Sequence, residues 1–142
     1  MICDTSALIA FFNGADPDHA AVVAAFRAAR PPLVVGALVL AELDYLIRTR
    51  VGEDPARRAV GTLLGGRFEV APCAQSDVAA ALAIDAQYAA LGIGLTDASL
   101  VVLAGRYRTL NLATLDERHF RAVRPLFGGS AFRIHPADAG SP

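Results

Sequence analysis

Four acidic residues stand out in the 142-residue sequence because each lies beside apolar segments typical of a protein interior. Asp4 ends a short apolar run at the N-terminus, and Asp116 closely follows a strand-like run. Glu42 lies within a predicted helix, and Asp97 lies near the start of another. An unpaired carboxylate is costly to bury, so a buried acid requires a cation, strong hydrogen-bond donors or a raised pKa.

Three of these acids also have ordinary structural explanations. Asp4 and Asp116 could cap the helices that follow them, and Asp97 could lie in a first turn where the helix dipole favours negative charge. Glu42 is harder to explain in this way, because its helical neighbours predict a side chain that points inward. Those neighbours, three and four positions away, are Leu38, Val39, Tyr45 and Leu46.

The elements predicted around these acids are strands alternating with helices, a pattern that indicates a three-layer α/β/α fold with a mostly parallel central sheet. In such sheets, ligands bind beyond the carboxyl ends of the strands, where Asp4 and Asp116 are expected. Strands are predicted at 1–4, 33–35, 68–73, 109–114 and 132–135. Helices are predicted at 5–12, 18–30, 37–50, 54–64, 76–91, 96–107 and 117–123. Within the second and third helices, the predicted buried stripes are Ala20, Val23 and Phe26, and Leu40, Leu43 and Ile47.

If the four acids converge, carboxylates about 4 Å apart repel each other by about 4 kcal/mol per pair at an effective dielectric constant of about 20. A cation would offset this repulsion, and all-oxygen ligation suits Mg²⁺ or Mn²⁺. Such an ion could activate water for attack on a phosphate. Repulsion also predicts that Asp4→Asn would leave the metal-free fold equally or more stable.

Composition favours one domain. With 54% hydrophobic residues the chain can bury a single core, which we expect to span 1–136, followed by a short flexible tail at 137–142. No apolar run reaches the roughly 18 residues of a membrane span and no secretory signal is recognisable, so we predict a cytoplasmic protein. Cys3 and Cys73 lie in apolar strand-like runs and are predicted to be core thiols rather than a disulfide.

Charge excludes several function classes. The net charge of −1 argues against a broad basic surface, although residues 101–142 carry a balance of +3 and residues 1–100 a balance of −4.

All 13 basic residues are arginine. Without lysine a P-loop is excluded, and a magnesium-dependent phosphotransfer domain, which normally uses one, is disfavoured. The three histidines are far apart in the sequence and predict no zinc site.

Four segments that contain the acids resemble, in order, the four acidic motifs of PIN-domain proteins, and the most similar subgroup is the VapC-type toxin. The resemblance covers nearly the whole chain. The segments are Ile2-Cys3-Asp4-Thr5-Ser6, Ala41-Glu42-Leu43, Thr96-Asp97-Ala98-Ser99-Leu100-Val101-Val102-Leu103-Ala104 and Ala113-Thr114-Leu115-Asp116-Glu117-Arg118-His119-Phe120.

The resemblance implies a Mg²⁺- or Mn²⁺-dependent endoribonuclease toxin that cleaves structured RNA, a tRNA or rRNA loop. It also implies a homodimer and a small cognate antitoxin that places its C-terminal segment over the site. The implied metal-binding catalytic acids are Asp4, Glu42, Asp97 and Asp116. Thr5, Ser6 and Thr114 would support them, and Arg106, Arg108, Arg118 and Arg121 would contact RNA. The alternative is a PIN-like module that binds RNA or a partner without cutting.

Overall fold

The computed structural model describes residues 1–140 and contains a five-stranded parallel sheet. The strands are β1 (Ile2–Cys3), β2 (Leu33–Gly36), β3 (Phe68–Ala71), β4 (Asn111–Ala113) and β5 (Arg133–His135). Their order across the sheet is β3-β2-β1-β4-β5, and every neighbouring pair is parallel. All five predicted strands are therefore confirmed, and the shortest one, β1, lies at the centre.

Helices connect successive strands, as the alternating pattern predicts. They are α1 (Thr5–Phe12), α2 (His19–Ala28), α3 (Ala37–Arg50), α4 (Glu53–Leu63), α5 (Gln75–Gln87), α6 (Gly94–Arg106) and α7 (Glu117–Ala122). A 3₁₀ turn at Ala89–Leu91 follows α5, so the single helix predicted over 76–91 is broken near its end. In the part of the chain that the structure describes, no helix is long and apolar enough to cross a membrane.

Burial along the strands shows that the sheet is the middle layer of a three-layer fold. All four residues of β2 are buried, although successive strand residues point to opposite faces of a sheet. Both faces of the sheet are therefore covered, which is the arrangement that parallel sheets require. The register pairs Ile2 with Val34 on one side and with Leu112 on the other. The predicted three-layer α/β/α fold with a parallel central sheet is confirmed.

Two predicted buried stripes are confirmed in part, because Phe26 of α2 and Leu43 and Ile47 of α3 are buried as predicted. In α2 the buried residues are Val22 and Phe26, and the predicted Ala20 is exposed. In α3, Val39 is fully buried, whereas the predicted Leu40 is only partly buried against the core. One position rotates a side chain by about 100° around a helix, so a run with apolar residues on adjacent positions leaves the direction of the stripe open.

The two cysteines differ from each other. Cys3 is fully buried in the central strand, as predicted, but Cys73 lies just beyond β3 and is only half-buried, so its assignment to the core was wrong. Both thiols are free. Burial raises the pKa of Cys3 to about 12, so this thiol stays protonated at neutral pH and serves as a small apolar side chain.

The predicted boundary between domain and tail falls in a hydrogen-bonded turn. The backbone N–H of Asp138 donates to the carbonyl of Ile134 at 2.7 Å, and its carboxylate accepts from the Ile134 N–H at 2.8 Å. Arg121 of α7 donates to both carboxylate oxygens of Asp138. Residues 141–142 of the predicted flexible tail lie outside the described residues.

Candidate active site at the carboxyl end of the sheet

Asp4 lies directly after the central strand and is 5% exposed. Its backbone is extended, and its side chain accepts from the N–H of Thr5 at 2.6 Å, so Asp4 is also the N-cap of α1. The other carboxylate oxygen accepts from the hydroxyls of Ser6 at 2.6 Å and Thr114 at 2.8 Å. Three donors therefore offset the burial of this charge.

Thr114 and Ser6 connect the ends of β1 and β4. While both hydroxyls donate to Asp4, Thr114 accepts from the N–H of Asp116 at 3.0 Å and Ser6 accepts from the N–H of Leu115 at 2.9 Å. Each hydroxyl thus uses its hydrogen and a lone pair in directed bonds. The predicted supporting role of these residues has a physical basis in this arrangement, because they fix the loop that carries Asp116.

Glu42 reaches the same region from the second turn of α3. Its carboxylate accepts from the hydroxyl of Thr5 at 2.5 Å, which connects the third predicted supporting residue to a second acid. The side chain is only half-buried, and its neighbour Tyr45 is 64% exposed. Glu42 therefore lies at the border of the apolar stripe rather than within it, and its carboxylate remains accessible.

Asp97 and Asp116 approach each other through His119. Nδ1 of His119 lies 2.8 Å from a carboxylate oxygen of Asp97 and 3.1 Å from one of Asp116. Asp116 is the N-cap of α7 and accepts from the N–H of His119 at 3.2 Å. Together with the contacts of Asp4, these bonds form one continuous network that joins Asp4, Asp97 and Asp116.

Asp97 is the acid whose ionisation is most clearly affected. Burial raises its pKa to about 6, and the hydrogen bond from His119 opposes this shift. The negative charges of Asp4 and Asp116 raise the pKa further, so they are close enough to interact electrostatically with Asp97. This repulsion is the physical signature of acids that have been brought together.

The donor atoms of this region suit a divalent cation. Carboxylate oxygens of Asp97 and Asp116 and a ring nitrogen of His119 lie within 4.8 Å of one another. Oxygen donors are the ligands that Mg²⁺ and Mn²⁺ prefer. The residues present therefore fit such an ion, and the negative charge of Asp4 acts on the same site.

The four predicted RNA-binding arginines have different surroundings. Arg106 donates to Asp77 and to the carbonyl of Pro72, and Arg121 donates to Glu117 and Asp138. The guanidinium of Arg108 lies 4.6 Å from the centre of the Phe127 ring. Arg118 is exposed and lies two residues after Asp116. Of the four, Arg118 is therefore adjacent to the acidic cluster and accessible to a ligand.

Sequence reasoning missed His119. It was set aside with the other two histidines because their spacing fits no zinc motif, yet it occupies the first turn of α7 beside two of the predicted acids. Its position three residues after Asp116 was a usable signal. Residues three apart on a helix lie on one face, so a capping acid and the third residue that follows can meet.

The three donors around Asp4 reverse the expectation that Asp4→Asn is neutral or stabilising. The hydroxyl hydrogens of Ser6 and Thr114 would lose their charged acceptor, at a cost of about 1–3 kcal/mol. Asp116→Asn is the matched control, because asparagine caps helices as well as aspartate does. We expect urea unfolding in EDTA to show a lower free energy of unfolding for Asp4→Asn and a nearly unchanged one for Asp116→Asn. Equal stability of wild type and Asp4→Asn would contradict this prediction.

The raised pKa of Asp97 predicts how the stability of the metal-free protein depends on pH. An unfolded aspartate titrates near 3.8, so between about 3.8 and 6 the folded chain binds more protons than the unfolded chain. Stabilisation from this group is therefore present below pH 3.8 and is lost as the pH rises through about 6. We expect the free energy of unfolding of wild type, relative to Asp97→Asn, to decrease between pH 4 and 7 in EDTA. A parallel pH dependence of the two proteins would disprove the assignment.

Comparisons with known proteins identify the family. The PIN domain family model matches residues 1–125. Ribonuclease VapC26 of Mycobacterium tuberculosis (strain ATCC 25618 / H37Rv) is 48% identical over 136 residues, which cover 96% of this chain and 100% of that protein. The structure also resembles the crystal structure of Mycobacterium tuberculosis VapC20, a sarcin-ricin loop cleaving toxin, with a TM-score of 0.76. The match covers 82% of this chain and 89% of that chain. Because the two sequences are only 20% identical, this match shows the shared fold. The chain therefore belongs to the PIN-domain family, within its VapC-type ribonucleases.

Proposed function

We propose that this ribonuclease is a Mg²⁺- or Mn²⁺-dependent endoribonuclease toxin whose catalytic, metal-binding acids are Asp4, Glu42, Asp97 and Asp116. The observation that carries the proposal is the hydrogen-bonded network at the carboxyl end of the sheet, which includes three of these acids. Glu42 reaches the same region through Thr5. Acids from distant parts of the chain meet where α/β proteins bind ligands.

Hydroxyl groups orient the acids of the site, and the acids would hold the metal ion. Ser6 and Thr114 hold the Asp4 carboxylate in one orientation, and Thr5 does the same for Glu42. A divalent ion held by the four acids would lower the pKa of a bound water and offset charge that develops on the attacked phosphate. The protein contributes fixed ligand positions, so little reorganisation accompanies the reaction.

Arg118 is our candidate for the principal contact to the RNA backbone. It is exposed beside Asp116, whereas Arg106 and Arg121 are engaged with carboxylates. An acidic site repels a polyanion, so a nearby guanidinium would help to draw the phosphate in. Arg108, positioned over Phe127, would supply a secondary contact.

We infer a structured RNA loop as the substrate class. VapC20, which shares the fold, is a sarcin-ricin loop cleaving toxin, and a loop presents an accessible phosphodiester to a site at the edge of a sheet. We also propose a small cognate antitoxin and a homodimer in a cytoplasmic setting. The exposed side chains of Tyr45 on α3 and Leu82 on α5 supply apolar contact area for protein partners.

The alternatives differ in their support. A phosphotransfer domain is at odds with the PIN match over residues 1–125 and with the absence of lysine. A non-catalytic PIN-like module would have no use for acids that repel each other. Burial is the main cause of the raised pKa of Asp97, and the charges of Asp4 and Asp116 add to it, which favours the catalytic reading.

Metal removal and one substitution that removes a negative charge test the proposal. We expect EDTA to abolish cleavage of a structured RNA, and Mg²⁺ or Mn²⁺ to restore it. Asp97→Asn should lower the cleavage rate by at least about 100-fold, because an amide is a weak ligand. Asp54→Asn is the control, since Asp54 is exposed and forms its ion pair with Arg57 on α4. Cleavage that resists EDTA, or equal rates for the two variants, would refute the proposal.

Salt dependence tests the role of Arg118. We expect Arg118→Gln to weaken RNA binding and to reduce the slope of log affinity against log salt concentration by about 1, because one phosphate contact is lost. Arg57→Gln serves as the control, since Arg57 is paired with Glu53 and Asp54 away from the acids. Identical salt slopes for wild type and Arg118→Gln would remove Arg118 from the RNA interface.

A further inference from the structure

His119 is the one side chain of the acidic cluster that is not an acid or a hydroxyl, within residues 1–140. Its Nδ1 atom lies 2.8 Å from Asp97 and 3.1 Å from Asp116, and the side chain is 16% exposed. The other two histidines have different roles: His19 contacts the carbonyl of Ala10, and His135 contacts the side chain of Asn111. His119 is therefore the histidine positioned to take part in metal binding at the acids.

The orientation of His119 is fixed by its own helix. Asp116 caps α7 through the N–H of His119 itself. The next residue, Phe120, is 1% exposed and packs edge-on against Phe132, with ring centres 6.3 Å apart. A buried aromatic ring fixes the rotation of this short helix, so the side chain of His119 must face Asp97 and Asp116.

Two of the three separations among these ligand atoms are close to the spacing within a coordination shell. A divalent ion about 2.1 Å from each ligand places neighbouring octahedral ligands about 3.0 Å apart. The separations of 2.8 Å and 3.1 Å from Nδ1 lie on either side of this value. The Asp97 and Asp116 oxygens lie within 4.8 Å of each other, so binding of one ion to all three atoms would require at most a small inward movement of the carboxylates.

We propose that Nδ1 of His119 is a metal ligand of this site, together with Asp97 and Asp116, and that it shifts the metal preference from Mg²⁺ toward Mn²⁺ and Co²⁺. The inference rests on the proposed function, since it assumes that the cluster holds a divalent ion. Imidazole nitrogen is a borderline ligand that suits later first-row metals, whereas Mg²⁺ strongly prefers oxygen. One nitrogen in an otherwise oxygen-based site thus changes which ions bind best.

The competing role for His119 is that of a hydrogen-bond donor that only positions the two carboxylates. The same separations would serve such a bond, so distance alone does not separate the roles. The identity of the metal does separate them. Loss of a positioning donor weakens all ions in parallel, whereas loss of a nitrogen ligand weakens Co²⁺ much more than Mg²⁺.

Pulsed electron paramagnetic resonance of bound Mn²⁺ tests the ligation directly. We expect the full-length wild type to show hyperfine coupling to a nitrogen that changes when histidine is labelled with ¹⁵N. The coupling should disappear in His119→Asn and persist in His19→Asn, the matched control. If His119→Asn does not fold, persistence in both His19→Asn and His135→Asn assigns the coupling to His119. Mn²⁺ bound without histidine coupling would overturn the inference and leave the metal site intact.

Calorimetric titration with MgCl₂ and CoCl₂ supplies the second readout. In His119→Asn we expect the ratio of Co²⁺ to Mg²⁺ affinity to decrease by about tenfold or more, and in His19→Asn to remain unchanged. A parallel loss of both affinities would assign His119 the positioning role and overturn the ligand proposal. A wild-type protein that binds no divalent ion would refute the proposed function itself.

Discussion

The carboxylate of Asp4 at the end of the central strand is the constraint on which the rest of the site depends. It is nearly inaccessible to solvent and tolerates this position because three donors surround it. Those donors come from the start of α1 and from Thr114 after β4, so they converge only when β1 and β4 are in register. The pairing of Cys3 with Ala113 provides that register. Sheet formation and assembly of the site are thus one event.

Glu42 and Asp97 are positioned by helices rather than by strand ends, and this difference affects their electrostatics. Asp97 in the first turn of α6 and Glu42 in the second turn of α3 each have one polar side-chain partner, His119 and Thr5. With fewer donors, Asp97 responds to burial and to neighbouring charge through a raised pKa. The site therefore combines the carboxylate of Asp4, which accepts three hydrogen bonds, with the carboxylates of Asp97 and Glu42, whose charge is less well compensated. This combination is expected where a cation would bind.

Sequence alone predicted the elements well, because a parallel sheet buried on both faces leaves continuous apolar runs such as β2. It also predicted acids at strand ends, since topology sends those ends to one edge of the sheet. It located the buried face of α3 only approximately, with Leu43 and Ile47 buried as predicted. Val39 rather than Leu40 is fully buried, and Tyr45 is exposed, because the packing of α3 against its neighbours decides its rotation.

His119 was missed for a related reason. Sequence patterns for metal sites count spacing between ligands along the chain, but Asp97 and His119 belong to different helices and meet only through the fold. The one local clue, a histidine three residues after a capping acid, has meaning only when α7 is known to begin at Glu117. Chemistry that depends on contacts between elements is not encoded in local spacing.

The position of α7 also depends on Arg121, one of the four arginines predicted to contact RNA. A helix of six residues is too short to be stable alone, so its contacts must hold it. Arg121 connects Glu117 to Asp138 of the C-terminal turn, and this contact, together with the Ile134 N–H, lowers the pKa of Asp138 to about 2. The Arg121 guanidinium thereby connects the chain after β5 to the helix that carries His119. A guanidinium is planar and has several donors, so it can bind two carboxylates at once, whereas the ammonium group of a lysine would act as a point charge.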